Sequence, residues 1–386
     1  MTPASSRRRD LAAIVASIAA TVFGAGLGEL AAAIVSPTAS PFAVIGGGMI
    51  DLAPAWAKNL AIDLFGTGDK AALLVGIAVL LLIVAGVVGV LERRKAPWGR
   101  VVLVALGVIG AIVSMTRADA GTLSPLPSLV AGAAAALVTG LLVARLRRRS
   151  VQTPADDGVS RRSVLALSGV AVLAGVMATA GSFALSGGAR AVSAIRAALR
   201  LPTPATTTTV PAAADLGIDG LASVITPASD FYRIDTALVV PQVDPSTWTL
   251  RVHGLVEQEV VLRWDDLVAL PQQETVATLV CVSNEVGGSL IGTARWLGVP
   301  IRDILARAKP TAEADMVLSR SVDGFTASSP LEALTDDRDA LFAIGMNGEP
   351  LPLEHGFPVR MVVPGLYGYV SATKWVTELE VTRFDR

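Results

Sequence analysis

The stretch VSRRSVLALSGVAVLAGVMATAGSFAL, Val159 to Leu185, divides the chain into two unlike parts. No charged residue follows Arg162 within it. A hydrocarbon core takes roughly 20 apolar residues at about 1.5 Å rise each, so the run is long enough to cross a bilayer. An arginine pair ahead of an uncharged run has the form of an export signal, yet it lies in mid-chain. What precedes it is rich in Ala, Val, Leu and Gly with few charges, whereas from about Asp215 charged and apolar residues mix as in a globular domain. That half is long enough to bury a core of its own. A hydrophobic content of 52% and a mean hydropathy of +0.58 exceed what a soluble domain shows, and the N-terminal half supplies the excess.

Four further stretches in that half have spanning character: Leu11–Val35, broken by Glu29; Ala71–Leu91; Val101–Thr116; and Gly121–Ala144. Ser163–Leu185 makes the fifth. Pro41–Phe65 is apolar but holds Asp51, Lys58 and Asp63, and reads as interfacial or re-entrant, with a sixth span as the alternative. The basic residues fix an orientation. Arg7–Arg9, then Arg93, Arg94, Lys95 and Arg100, then Arg145, Arg147–Arg149, Arg161 and Arg162 fall in alternate connections. Those connections hold thirteen cations, against Lys58, Lys70 and Arg117 in the others. The expectation is a multi-pass protein of the cytoplasmic membrane, N-terminus inside and C-terminal domain outside. Neither histidine, His253 or His355, precedes residue 253, which rules out haem ligation by the spans. Glu29 is the one clear charge within them; anchoring in lipid is the expected role, with transport or partner docking as the alternative.

A net charge of −1 argues against nucleic acid as a partner. The single cysteine, Cys281, excludes an intrachain disulfide. RLPTPATTTTVPAAAD, Arg200–Asp215, lacks apolar periodicity and reads as a semi-extended spacer, preceded by a short surface helix at Gly187–Leu199. The expected divisions are thus 1–150, four spans; 151–190, a cytoplasmic loop and the fifth span; 191–214, a linker; and 215–386, the outer domain.

The outer domain reads as α+β and strand-rich. STWTLRVHGLV alternates as a strand, QEVVLRWDDLVALP runs from strand to helix, and Ala277–Val282 is a strand ending in a Ser-Asn-Gly loop. VPIRDILARA has helical spacing, and the segments from Ala314 to Thr382 read as strands separated by Gly, Pro and Asn turns. Phosphate-loop, Rossmann, nucleophile-elbow and CxxC patterns are absent. Cys281 ends a strand, as a small buried hydrophobe or as a thiolate ligand for a soft metal. His355, Arg360 and Lys374 form a local group of potential cations, exposed surface charges or a site for a phosphate-bearing cofactor. His253, in mid-strand, reads as structural.

From about Asp230 to Val381 the outer domain resembles the molybdenum-cofactor domain of the sulfite oxidase family. The resemblance is carried by MNGEPLPLEHGFPVRMVVPG, by KWVTELEV, and by CVSN followed by GTARWLGVPIRDIL, in family order. It implies a molybdenum–molybdopterin cofactor with Cys281 as the thiolate ligand of the metal. It implies pterin and phosphate contacts from Tyr232, Arg233, Asn284, Ser321, His355, Arg360, Thr373 and Lys374. Cys281, Arg233 and Phe325 occupy the positions of the reacting centre. Three departures bear on the substrate. Glu285 and Val286 stand where sulfite oxidases carry an arginine pair, Phe325 replaces an active-site tyrosine, and Arg233-Ile234-Asp235 replaces Arg-Asn-His. A carboxylate at that mouth repels a sulfite dianion, so redox chemistry on another small substrate is expected. The immunoglobulin-like, haem and flavin modules of relatives are not expected here. Electrons therefore require a separate transfer protein, a cytochrome or membrane haem protein. The competing reading is a non-catalytic, membrane-anchored binding module that keeps the fold. The cofactor is built in the cytoplasm and buried on folding, so the domain must cross the membrane folded. SRRSVLALSG, Ser160–Gly169, resembles the twin-arginine signal used for such cargo.

Overall fold

The computed structural model describes residues 3–54, 56–57, 60, 64–65, 68–148, 157–185 and 187–385. The chain divides into two compact units, Met1–Gly187 and Gly188–Arg386.

The first unit is helical: α1 Pro3–Val35, α2 Pro41–Leu52, α3 Asp69–Lys95, α4 Trp98–Met115, α5 Leu126–Arg148 and α6 Asp157–Leu185. Five helices among the described residues are long and apolar enough to cross a membrane. The fourth of these starts five residues later than the sequence suggested. Gly121–Pro125 forms turns, and Pro127, which has no N–H to lose, sits in the first turn of α5. α2 covers the first twelve residues of the Pro41–Phe65 stretch, whose Lys58 and Asp63 lie outside the described residues. At twelve residues it is too short to span.

Packing in this unit follows the logic of lipid rather than water. Ala13, Ala16, Ala19 and Ala20 are buried, whereas Leu80, Ile83, Ile109 and Leu137 are exposed. In a lipid surround large apolar side chains gain little by turning inward, and small residues let backbones approach. A Cβ on Gly26 of α1 would fall 2.2 Å from the Gly175 carbonyl oxygen of α6, and one on Gly132 of α5 would fall 2.7 Å from Gly107 Cα of α4. Charges gather at the helix ends. Asp10 pairs with Arg93 and Arg94, and Glu92 accepts from Arg100 Nε at 2.8 Å, joining the start of α1 to the end of α3 and the start of α4. Asp51 pairs with Arg117. Glu29 accepts from Ser40 Oγ at 2.7 Å, and that hydroxyl in turn accepts from Ala43 N–H at 3.2 Å. The carboxylate is therefore part of the α2 N-cap, where negative charge is favoured.

The second unit opens with α7, Gly187–Ala198, and carries two five-stranded sheets. One has the order β2-β1-β10-β5-β6, built from β1 Thr249–Gly254, β2 Val260–Arg263, β5 Met316–Ser321, β6 Thr326–Pro330 and β10 Val376–Thr382. Only its β1–β10 pair is parallel. The other runs β3-β4-β7-β8, with β9 also on β7, from β3 Gln273–Val280, β4 Ile291–Pro300, β7 Leu341–Met346, β8 Glu349–Pro350 and β9 Arg360–Val362. Short helices α8 Trp264–Val268, α9 Ile301–Ala308, α10 Leu331–Thr335 and α11 Gly368–Ser371 complete it. α9 buries Ile301, Ile304, Leu305 and Ala308, the apolar face its spacing predicts, against Leu250, Phe342 and Leu379. Each such side chain contributes about 1.5–3 kcal/mol.

Three readings need correction. β3 runs Gln273–Val280 rather than Ala277–Val282, because Asn284 N–H donates to Cys281 O at 3.0 Å and turns the chain there. Gly368–Ser371 is a helical turn rather than strand, held by Ser371 Oγ donating to Tyr367 O at 2.9 Å. The Pro/Thr-rich stretch is docked rather than a free spacer. Thr206 bridges Gln273 in parallel, and Glu274 N–H donates to Thr206 O at 2.9 Å. The exposed edge of β3 supplies partners that low hydrophobicity cannot. Within α7, inside the expected linker, Val192 enters the core and Arg196 donates to Leu351 O and Pro350 O, both at 2.7 Å.

Candidate active site

The segment Asp230–Asp235 crosses the end of the second sheet. Phe231 seats on Gly292 of β4, where a Cβ would fall 2.6 Å from the ring. From there it stacks on Tyr232 (5.3 Å between centroids) and meets Trp296 and His355 edge-on, at 5.6 and 5.5 Å. This aromatic cluster aims the neighbouring polar groups. Tyr232 is half-buried, and burial, partly offset by Arg360, raises its phenol to about 12. It therefore keeps its proton, with the Cys281 side chain within its electrostatic surroundings. Cys281 is itself buried, its N–H donating to Leu290 O at 2.9 Å.

His355 and Arg360 flank a tight turn. Gly356 sits there at φ +108°, and a Cβ on it would fall 3.0 Å from Arg360 Cβ and 3.1 Å from Lys374 Cβ, so only glycine leaves both side chains room. Arg360 bridges Lys374 across antiparallel backbone, which sets the two cations side by side. His355 Nε2 lies 3.1 Å from Ala228 O, and a carbonyl only accepts. Nε2 therefore carries the proton and Nδ1 is left as an acceptor. Burial and then the Arg360 charge lower this imidazole to about 4. Arg360 is buried over the Trp296 ring at 5.0 Å, its Nη1 donating to His355 O at 3.2 Å and its other contacts also backbone carbonyls. Burial lowers it to about 10. Lys374 is lowered to about 8 by burial, against the opposing pull of Asp235. It donates to Asp235 and to Glu354 O at 3.0 Å.

The site thus brings together Tyr232, Cys281, His355, Arg360 and Lys374, with Arg233 joined through Asp235. Thr373 faces the opposite way, its hydroxyl 2.7 Å from Ser319 Oγ in the sheet interior. Asn284 braces the loop after Cys281, its Oδ1 accepting from Leu290 N–H at 2.8 Å. Ser321 Oγ is buried without a hydrogen-bond partner among the described residues. Phe325 lies in the β5–β6 turn; no hydrogen bond or ring contact of the described residues joins it to Cys281. That turn is tied to the Asp230–Asp235 side by Thr236 Oγ1 donating to Asp323 Oδ2 at 3.2 Å. Glu285 and Val286 are exposed on the loop after Cys281. The sequence reading treated Asp235 only as a departure, and it missed Phe231 and Trp296 altogether. An aspartate two residues from an arginine was the visible signal, but its second partner stands 139 residues away.

These donors suit a large anionic group with its own metal donors. A buried guanidinium without a carboxylate partner and an orphan hydroxyl both call for acceptors from outside the chain. Among the described residues no three His, Cys, Asp or Glu side chains gather to hold a metal, so Cys281 would share one with non-protein ligands. An acid test follows. In cofactor-free full-length protein, neutral His355 supports folding above about pH 6.5, and that support is lost as pH falls toward 4. The loss is at most about 3 kcal/mol. Thermal midpoints at pH 7 and 4.5 should fall less in His355→Gln than in wild type; an equal fall overturns the assignment.

Residues 237–386 match the family model described as "Oxidoreductase molybdopterin binding domain". An uncharacterized oxidoreductase, YuiH, of Bacillus subtilis is 36% identical over 155 residues, 40% of this chain and 75% of that protein. Rat mitochondrial sulfite oxidase is 37% identical over 183 residues, 41% of this chain; the chain spans 33% of that enzyme's length. Among solved structures, the sulfane dehydrogenase SoxCD of Paracoccus pantotrophus aligns at 29% identity over 42% of this chain and 45% of that one, with a TM-score of 0.39.

Proposed function

Since this chain belongs to the sulfite oxidase family of molybdopterin oxidoreductases, we propose that it is a membrane-anchored enzyme working outside the cytoplasmic membrane. It exchanges an oxygen atom with a small substrate, and its electrons pass through a separate redox protein, a cytochrome or membrane haem protein. As a member of that family it takes a molybdenum–molybdopterin cofactor and is an oxidoreductase. The observation that carries the functional reading is the convergence of Cys281 with Tyr232, His355, Arg360 and Lys374. A module that had lost its cofactor has no physical reason to keep a buried guanidinium whose hydrogen bonds go only to backbone carbonyls.

When bound, the cofactor supplies two-electron chemistry at molybdenum coupled to oxygen-atom transfer. The chain's part is binding and orientation. Cys281 is the metal's thiolate ligand, presented by the turn after β3. Arg360 and Lys374 hold the phosphate, and Ser321 Oγ gives a further polar contact. Neutral His355 offers Nδ1 to a donor on the ligand. Tyr232 keeps its phenolic proton to donate near Cys281. Glu285 and Val286 at the mouth disfavour a sulfite dianion.

The five apolar helices support the anchor, and the pairing of Asp10, Arg93 and Arg94 supports a common end for the basic clusters. Elemental mass spectrometry of detergent-purified full-length protein tests the reading. About one molybdenum per chain is expected; none, from a host that makes the cofactor, would leave a binding module on an anchor.

A further inference from the structure

Two of the site's three cations already share one buried carboxylate. The Asp235 side chain is 5% exposed and takes Arg233 Nε at 2.9 Å on the same oxygen that receives Lys374 Nζ, with Arg233 Nη2 at 3.3 Å on the other. The ammonium is held further by Glu354 O and the Trp375 ring, 4.9 Å away. Arg360, within the field of Asp235, has backbone partners only. We propose that Asp235 is a built-in counter-ion that occupies this anion subsite in the cofactor-free chain and excludes small free anions. Only a phosphoryl group carried by a larger ligand displaces it.

The argument is one of competing contacts. A free inorganic phosphate must shed its water, face the Asp235 charge, and take Lys374 from a contact already made in a poorly solvated site. It brings no other contacts to offset those costs. A phosphate attached to a larger ligand does, because groups at Cys281, His355 and Ser321 bind at the same time and the second contact becomes intramolecular. The carboxylate also offsets the repulsion between Arg233 and Lys374, which meet on the same oxygen.

This inference rests on the cofactor reading for the identity of the larger ligand, and its test uses inorganic phosphate instead. Full-length protein from a host unable to make the cofactor is titrated with phosphate in detergent, by calorimetry and by thermal midpoint. Wild type should show no saturable response up to about 10 mM, whereas Asp235→Asn should bind with a Kd at least about tenfold lower. Asp235→Asn with Lys374→Gln should lose the gain. Asp235→Ser, of smaller volume, serves where the asparagine variant does not fold. Saturable binding by wild type below about 10 mM overturns the proposal without any variant. So does a folded Asp235 variant with no gain. A variant that gains phosphate while wild type never acquires molybdenum would sustain the counter-ion and defeat the cofactor reading.

Discussion

Cys281→Ser should lower turnover by at least about a hundredfold while the protein still folds and carries molybdenum. Substituting even an outer-shell partner of a metal ligand costs about 10–100-fold, and a direct ligand should exceed that. Cys281 sits where β3 ends, 8% exposed, its amide held by Leu290 O and its carbonyl by Asn284 N–H. Those backbone contacts do not need the thiol, so serine keeps the turn. A buried hydroxyl there costs on the order of 1–3 kcal/mol if unpaired, less than the roughly 5–15 kcal/mol by which a folded domain is stable. The cations that would hold the phosphate stand elsewhere, at Arg360 and Lys374, so cofactor content should survive. The assay pairs reduced viologen with an S-oxide, an N-oxide or nitrate, and ferricyanide with sulfite, so either direction of electron flow registers. The sulfur-to-molybdenum charge-transfer absorption should also change. Undiminished turnover in a molybdenum-loaded variant would refute the ligand assignment.

The helical unit was legible because a candidate span must meet a length and a composition at once. Ala71–Leu91 had no other soluble destination, and α3 contains all of it. Helix starts were less legible where proline acts: Gly121–Pro125 is apolar enough to belong to a span, but its backbone turns. The docked stretch around Thr206 was illegible for a different reason. Its pairing is made with main-chain groups of β3, and composition is silent about backbone partners.

The grouping of the candidate site's cations was legible in the sequence, and its geometry was partly hidden. His355, Arg360 and Lys374 are close in sequence and meet at the Gly356 turn, so local spacing revealed them. Thr373 shares that segment, yet strand alternation points it into the sheet at Ser319. Asp235 went unread because its meaning depends on Lys374, which only the fold brings near. The likeness to a family supplies a template of positions; a substitution such as Asp235 acquires its role from what it touches.

Arg161→Lys with Arg162→Lys should keep the second unit from reaching the outer face of the membrane almost completely. The backbone of both residues belongs to α6, and their side chains lie outside the described residues. Two mechanisms make opposite predictions. If the pair only anchors orientation, lysine preserves the charge, and the topology dictated by basic loops is unchanged. If the pair is read by a twin-arginine export system, recognition depends on the arginines themselves, since guanidinium presents a planar fork and ammonium a point charge. The second mechanism is the one a prefolded cargo requires. The candidate site is assembled from Tyr232, Cys281, His355 and Lys374, drawn from segments spread over most of the second unit, so a large ligand enclosed by them cannot be threaded in after unfolded passage. Protease added to spheroplasts reports the outcome on the full chain, with molybdenum content measured alongside. Wild type should be cut in its second unit and the lysine pair protected. A lysine variant whose second unit stays accessible would overturn twin-arginine export and leave the charge rule sufficient. A wild-type second unit that is protected would overturn the extracytoplasmic placement itself.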